Sequence, residues 1–151
     1  MQISQATVED IPQLDELLAI LFGQEADFTT DTTRQERGLR LIVEQPAVGR
    51  MYCARQGGRV VGMVSLLFTI SRAVGSRAAW MEDMIDHPSQ RGRDIGKQLL
   101  RHAISAAGTL GCRRITLLTD STNSSAMRFY ERAGFVPSQM VPFRLSLDLE
   151  R

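Results

Sequence analysis

Hydrophobic residues along this chain recur with two periods, and the switches between them divide it into elements. A short apolar piece, residues 3–6, is followed by Thr7-Val8-Glu9-Asp10. That run resembles a capping box, because an acidic residue stands three positions after the hydroxyl. Ile11, Leu14, Leu17, Leu18 and Leu21 then fall at helical spacing and mark one buried face. Residues 23–30 are polar apart from Phe28 and read as a loop. A second, weaker helix starts near Asp31 or Thr32, carries Leu39, Ile42 and Val43, and is ended by Pro46.

The period then shortens. Residues 50–55 and 59–70 read as strands joined by the hairpin turn Gln56-Gly57-Gly58. Residues 77–85 form a third strand, reached through the polar, glycine-containing residues 71–76. A helix beginning near Gln90 presents Ile95, Leu99, Ala103, Ala106 or Ala107, and Leu110 on one face, and Gly111 stops it. Residues 114–118 are a strand and 122–132 a helix ending at Ala133-Gly134. Phe143, Leu145, Leu147 and Leu149 alternate with polar residues, which predicts a half-buried final strand. The order β-α-α-β-β-β-α-β-α-β predicts an α/β (α+β) fold. Its single mixed, mostly antiparallel central sheet is flanked by helices and forms one domain over residues 1–151.

Composition narrows the class without naming a function. At 151 residues the chain has the length of one domain with a substantial core, and 43% apolar with 23% charged residues is ordinary for a globular protein. A formal net charge of +1 gives no sign of nucleic-acid or membrane-surface binding. Cys53 and Cys112 are too few for a disulfide framework and read as small buried thiols. His87 and His102 stand apart from both, so no metal-ligand spacing exists. The first residues, MQISQATVED, lack the pattern of a secretory signal, and no apolar run approaches the ~20 residues of a membrane span. The expected location is the cytoplasm.

The stretch from Gln90 to Leu100, QRGRDIGKQLL, carries the first chemical signal. Glycines flank an arginine-rich turn between a strand and a helix. First-turn amides have no partner inside a helix, and the helix dipole favours an anion there, so the turn suits phosphate. A Walker A loop needs four residues between its glycines and a Ser or Thr after its lysine. Here Gly92 and Gly96 enclose three, and Gln98 follows Lys97. The dinucleotide pattern G-x-G-x-x-G fails for want of a third glycine.

Arg91-Gly92-Arg93-Asp94-Ile95-Gly96, followed by Lys97-Gln98-Leu99-Leu100, does resemble the R-x-x-G-x-G turn of the GCN5-related N-acetyltransferases. The segment from Glu82-Asp83 to Pro88 looks like the end of that family's central strand. Downstream, Asn123-Ser124-Ser125-Ala126-Met127-Arg128-Phe129-Tyr130-Glu131-Arg132-Ala133-Gly134-Phe135 resembles its N-x-x-A-x-x-F-Y-E-x-x-G-F segment. With the same order of elements, the resemblance covers essentially the whole chain. It implies acetyl-CoA as co-substrate, with the pyrophosphate on the amides around Gly92 to Lys97 and charge added by Arg91 and Arg93. It also implies that the strand end Met84, Ile85 and Asp86 splays from residues 114–118 and offers backbone groups to the pantetheine amides. Two positions depart from the pattern. Asp94 stands where the family has the first motif glycine, and Asp86 where a valine is more typical. Aspartate tolerates unusual backbone angles better than most residues but adds negative charge beside a diphosphate.

Acetyl transfer to an amine needs an uncharged nucleophile, a polarised carbonyl and a proton for the departing thiolate. Tyr130 matches the family tyrosine that protonates the sulfur. Asn123 fits the cofactor site and equally the N-cap of its helix. Glu82 is the candidate base, with Asp83 as competitor. Strict alternation puts Glu82 and Met84 on one face and Asp83 and Ile85 on the other. Trp80, Phe28 and Phe22 could line an acceptor pocket, with core packing the favoured use of Trp80 and Phe22, and neither histidine earns a catalytic role.

The expected activity is direct attack of a primary amine on the thioester in a ternary complex, without metal or covalent intermediate. A catalytically weak CoA-binding or small-molecule-sensing domain on the same fold is the alternative. The acceptor is a small-molecule or peptide amine; Glu25, Asp27 and Asp31 make the first loop acidic, which suits a cationic one and also suits a solvated loop. Proteins of this kind often form homodimers, and no residue pattern locates an interface.

Overall fold

The structure, a computed structural model, describes residues 1–24, 30–90 and 94–147. It divides into two compact units, Met1–Asp120 and Ser121–Arg151. The first unit holds one five-stranded sheet and three α-helices. In chain order these are β1 (Gln2–Gln5), α1 (Ile11–Gln24), α2 (Thr32–Val43), β2 (Gly49–Gln56), β3 (Arg59–Ser71), β4 (Ser76–Asp86), α3 (Ile95–Thr109) and β5 (Cys112–Leu117). The sheet order is β1-β2-β3-β4-β5. Every neighbouring pair is antiparallel except β4 with β5, which the α3 crossover makes parallel. The sheet is therefore mixed and mostly antiparallel, as the sequence pattern predicts.

Local chemistry accounts for the elements. The Asp10 carboxylate accepts the Thr7 backbone N–H at 2.8 Å, so a 3-10 turn over Val8–Asp10 leads into α1. The same carboxylate receives both ends of the Arg55 guanidinium, at 2.7 and 2.6 Å, and pins the start of α1 to β2. Asp31 caps α2 by accepting the Arg34 N–H at 3.1 Å. Gln56 pairs with Arg59 across Gly57 and Gly58, whose φ values of 58° and 80° meet the demand of a two-residue hairpin for left-handed residues.

Residues 60–66 of β3 are buried without a break, so both faces of the sheet are covered here. Met63 joins Leu14, Leu17, Leu18, Leu39, Met51 and Ile85 in a core under α1 and α2. Its neighbour Gly62 points the other way, toward α3. A Cβ on Gly62 would stand 2.8 Å from Leu99 Cδ1 and 3.0 Å from Ile95 Cγ2. Glycine lets the first turns of α3 lie this close to β3 with the Leu99 and Ile95 side chains left in place.

The second unit contains α4 (Ser124–Arg132), capped by Asn123, whose side-chain oxygen accepts the Ala126 N–H at 3.1 Å. Three expectations are corrected. The helix expected from Gln90 begins at Ile95, because Pro88–Gln90 closes a separate 3-10 turn in which the Gln90 N–H reaches His87 O at 2.9 Å. The final strand does not form among the described residues, and Phe143, Leu145 and Leu147 are 97%, 83% and 83% exposed. Alternation records a capacity to bury one face, but a strand also needs a partner, and Pro137 and Pro142 remove two N–H donors here. Leu149 and Phe28 lie outside the described residues. Trp80 is 38% exposed rather than core, whereas Phe22 is half-buried against the α1 and α2 core.

Candidate active site

The chemistry in the first unit gathers at the end of β4. Its ladder with β3 slips between Met63 and Ser65: Met63 faces Ile85 and Ser65 faces Glu82, so Val64 alone stands against Asp83 and Met84. This is a β-bulge, and Asp83 absorbs it with a φ of 56°. Left-handed backbone costs a non-glycine residue about 1–2 kcal/mol, least for Asn and Asp. The bulge breaks the expected alternation. Glu82 and Asp83, predicted on opposite faces, both line one cavity of about 400 Å³ between α1, α2 and β4. Extra residues of this kind often re-aim side chains beside a site.

The cavity has an apolar wall of Leu18, Phe22, Leu39 and Ile42 and a polar mouth of Thr30, Asp31, Arg34 and Gln35. Arg34 Nε lies 3.6 Å from Asp31 Oδ2. Gln35 fixes the mouth from below. Its amide donates to the buried Asp15 of α1 at 2.6 Å, and its carbonyl accepts the Asp31 N–H at 2.8 Å. Both functions of the amide are used, so α2 starts at a set position over α1. The sequence reading takes Asp31 as a start of α2 and as loop charge and does not single out Arg34, Gln35 or Ser65. For Ser65 a signal existed: it is the only polar side chain in residues 60–68.

Beyond the cavity, the ladder between β4 and β5 ends where β5 ends, at Leu117. Their last pair is Met81 with Leu117, and β4 runs on to Asp86, which faces Gly62 of β3. Met84 and Asp86 are half-buried and Ile85 buried. After the turn containing His87, whose Nδ1 sits 2.8 Å from Ser89 Oγ, the Gln90 side-chain oxygen is buried without a hydrogen-bond partner. Arg91, Gly92 and Arg93 lie outside the described residues. Asp94 occupies the N-cap of α3 at φ 59°, the left-handed conformation its replacement of a glycine calls for. Its carboxylate makes no capping bond and, among the described residues, no ion pair. Ile95 is buried, Gly96 half-buried and Lys97 exposed.

Asn123 and Tyr130 belong to the second unit. Asn123 serves as the helix cap, one of its two expected roles. The Tyr130 ring is half-buried, 5.2 Å from the Phe129 ring and 5.8 Å from that of Phe135, both edge-on. Elsewhere, His102 stacks edge-on against Tyr52 at 4.8 Å. Burial pushes the Cys53 and Cys112 thiols up. Among the described residues no cluster could hold a metal ion and no helix is long and apolar enough to cross a membrane.

With this geometry in view, the comparisons with known proteins converge. The sequence model of the acetyltransferase (GNAT) family matches residues 12–135. The chain belongs to that family of acyl-transferring enzymes. It is 28% identical to an aminoalkylphosphonate N-acetyltransferase of Salmonella typhimurium over 137 residues, 91% of this chain and 86% of that protein. A glucosamine 6-phosphate N-acetyltransferase of Trypanosoma brucei brucei is 35% identical over 89 residues, and the match spans only 58% of either protein. Among solved structures, an acetyltransferase candidate from Agrobacterium tumefaciens str. C58 superposes with a TM-score of 0.80 at 26% identity. That match covers 97% of this chain and 99% of that one.

Proposed function

We propose that this protein is an acetyl-CoA-dependent N-acetyltransferase acting on a small-molecule primary amine, with residues 1–151 as one functional domain. The observation that carries this reading is the bulged end of β4, where Glu82 and Asp83 both line a cavity close to the end of the β4–β5 ladder. A cavity of about 400 Å³ lies in the range of small-molecule sites.

The residues present suit coenzyme A. The β4–β5 ladder ends at Met81 and Leu117, ahead of Met84, Ile85 and Asp86, and the Gln90 side-chain oxygen, buried without a hydrogen-bond partner among the described residues, offers an acceptor beside the phosphate turn. Met84 to Asp86 would hold the pantetheine amides. Arg91, Gly92, Arg93, Asp94, Ile95, Gly96 and Lys97 would hold the pyrophosphate through amides and charge, and Asn123 is proposed as a cofactor-binding residue from its match to the family motif. When bound, the group supplies an acetyl thioester.

The chain supplies proton transfers and position. Glu82 takes the proton of the acceptor's ammonium, directly or through water, and Asp83 orients that ammonium beside it. Tyr130 holds a phenolic proton for the departing sulfur. The named acceptors of the two relatives are both small amines bearing a phosphorus oxyanion. Arg34, on the wall of the cavity, is the guanidinium such an acceptor would meet.

An amine panel read by CoA-thiol release tests the proposal, with aminoalkylphosphonates, amino-sugar phosphates, polyamines and a peptide N-terminus as members. Turnover of a small amine, with acetyl-CoA binding seen by titration calorimetry, is expected. Absence of acetyl-CoA binding at high micromolar concentration would sink it. Tight binding with no acceptor turned over would point to a sensing domain instead.

A further inference from the structure

We propose that Ser65, on β3, is a positioning residue that sets the β4 bulge and, through it, the Asp83 carboxylate. The inference rests on the acetyltransferase reading and deepens it by assigning what aims one of its two carboxylates. Ser65 is 0% exposed, and so are its strand neighbours Met63, Val64 and Leu66. The site is one for an apolar side chain, and a hydroxyl there is unfavourable unless it is bonded. Ser65 Oγ lies 3.1 Å from the Glu82 carbonyl oxygen and 3.2 Å from Asp83 Oδ2. Both acceptors belong to the bulge, and Ser65 faces Glu82 across the ladder where the register has slipped.

The two contacts do different things. The one to the Glu82 carbonyl meets a backbone group beside the interruption of the ladder. The one to Asp83 ties a carboxylate to a buried strand. A hydroxyl has one proton to give, and the charged oxygen is the stronger acceptor. A left-handed aspartate inside a strand carries a backbone cost that its surroundings must offset, and the buried serine is part of that support. Without it the end of β4 would be free to return to even pairing, which sends Asp83 and Glu82 to opposite faces.

The experiment compares Ser65→Ala, Asp83→Asn and the double variant. Ser65→Ala is expected to lower kcat about tenfold with KM for acetyl-CoA changed less than twofold. In the Asp83→Asn background the same change should alter kcat less than twofold, because the residue through which Ser65 acts is already lost. Ser65→Thr, which keeps the hydroxyl, should recover most of the activity of the Ala variant. A loss of thermal stability in Ser65→Ala with kcat intact, or additive losses in the double variant, overturns the proposal.

A second readout needs no turnover. In protein labelled at the side-chain carboxyl carbons, the Asp83 ¹³C resonance should move in Ser65→Ala. An unmoved resonance overturns the positioning role. A wild-type protein that acetylates no amine overturns the enzymatic reading on which the role depends, and the two failures are told apart in this way.

Discussion

Asp83 and Asp94 are the two described residues other than glycine with positive φ, at 56° and 59°, and they are held in opposite ways. Asp83 is woven into the sheet, with a carboxylate oxygen 3.2 Å from a buried serine. Asp94 stands exposed at a helix start with no capping bond from its side chain. The backbone angle is nearly the same, yet one strain is supported by a side chain and the other is tolerated. Strain of the first kind belongs with a carboxylate that must be aimed. The second marks a backbone shape that the turn requires, occupied by a residue whose own side chain does nothing for it.

The contrast can be sharpened by a third aspartate under no such strain. Asp10 is locked to Arg55, with side chains only 7% and 23% exposed. Replacing one partner of such a pair leaves the other uncompensated. Asp10→Asn is expected to cost about 3 kcal/mol, lowering Tm by about 6–12 °C in a thermal melt. Turnover of the folded protein should stay unchanged.

Substituting glycine at each strained position then divides the pair. Asp83→Gly relieves the backbone but removes the carboxylate, so turnover should fall about 100-fold while Tm holds or rises. Asp94→Gly relieves strain and removes a negative charge near the expected diphosphate. It should raise stability by about 1 kcal/mol and tighten acetyl-CoA binding about threefold, measured by calorimetry, with kcat unaffected. Equal effects at the two sites would erase the distinction.

The smallest effect is one of pH. The Arg55 guanidinium hydrogen-bonded to Asp10 holds its carboxyl below the usual value, which is about 3.9 unfolded. A lowered folded pKa contributes stability that is fully present above the unfolded value and is lost as pH falls through the folded one. The Tm gap between wild type and Asp10→Asn should therefore narrow as the pH is taken from about 5 to about 3.

What could be read from the sequence follows the same division between local and non-local causes. Helix faces such as Ile11, Leu14, Leu17 and Leu18, the Gly57-Gly58 turn and the Asn123 cap are written by neighbours within a few residues. The bulge is not: it exists because Val64 meets two residues of another strand, and no pattern within β4 discloses that. The face assigned to Asp83 was wrong for this reason. The start of α3 slipped because Pro88–Gln90 spends its hydrogen bonds on a turn of its own. Phe143, Leu145 and Leu147 carried a strand pattern whose partner the alternation could not name. Of the candidate site, the sequence singles out Glu82, Asp83 and the turn at residues 90–97, while the α2 residues that shape the cavity mouth carry no motif at all.

Gly62 has a bearing on how this protein could be altered. The close approach of the first turns of α3 to β3 goes with the absence of a side chain on Gly62. Anyone redesigning nucleotide preference would naturally randomise residues 90–97 and leave the sheet alone. Such a library searches side chains on a platform whose height is encoded some thirty positions earlier. Gly62→Ala would press on the Leu99 and Ile95 side chains under that platform, and every member would share the adjustment.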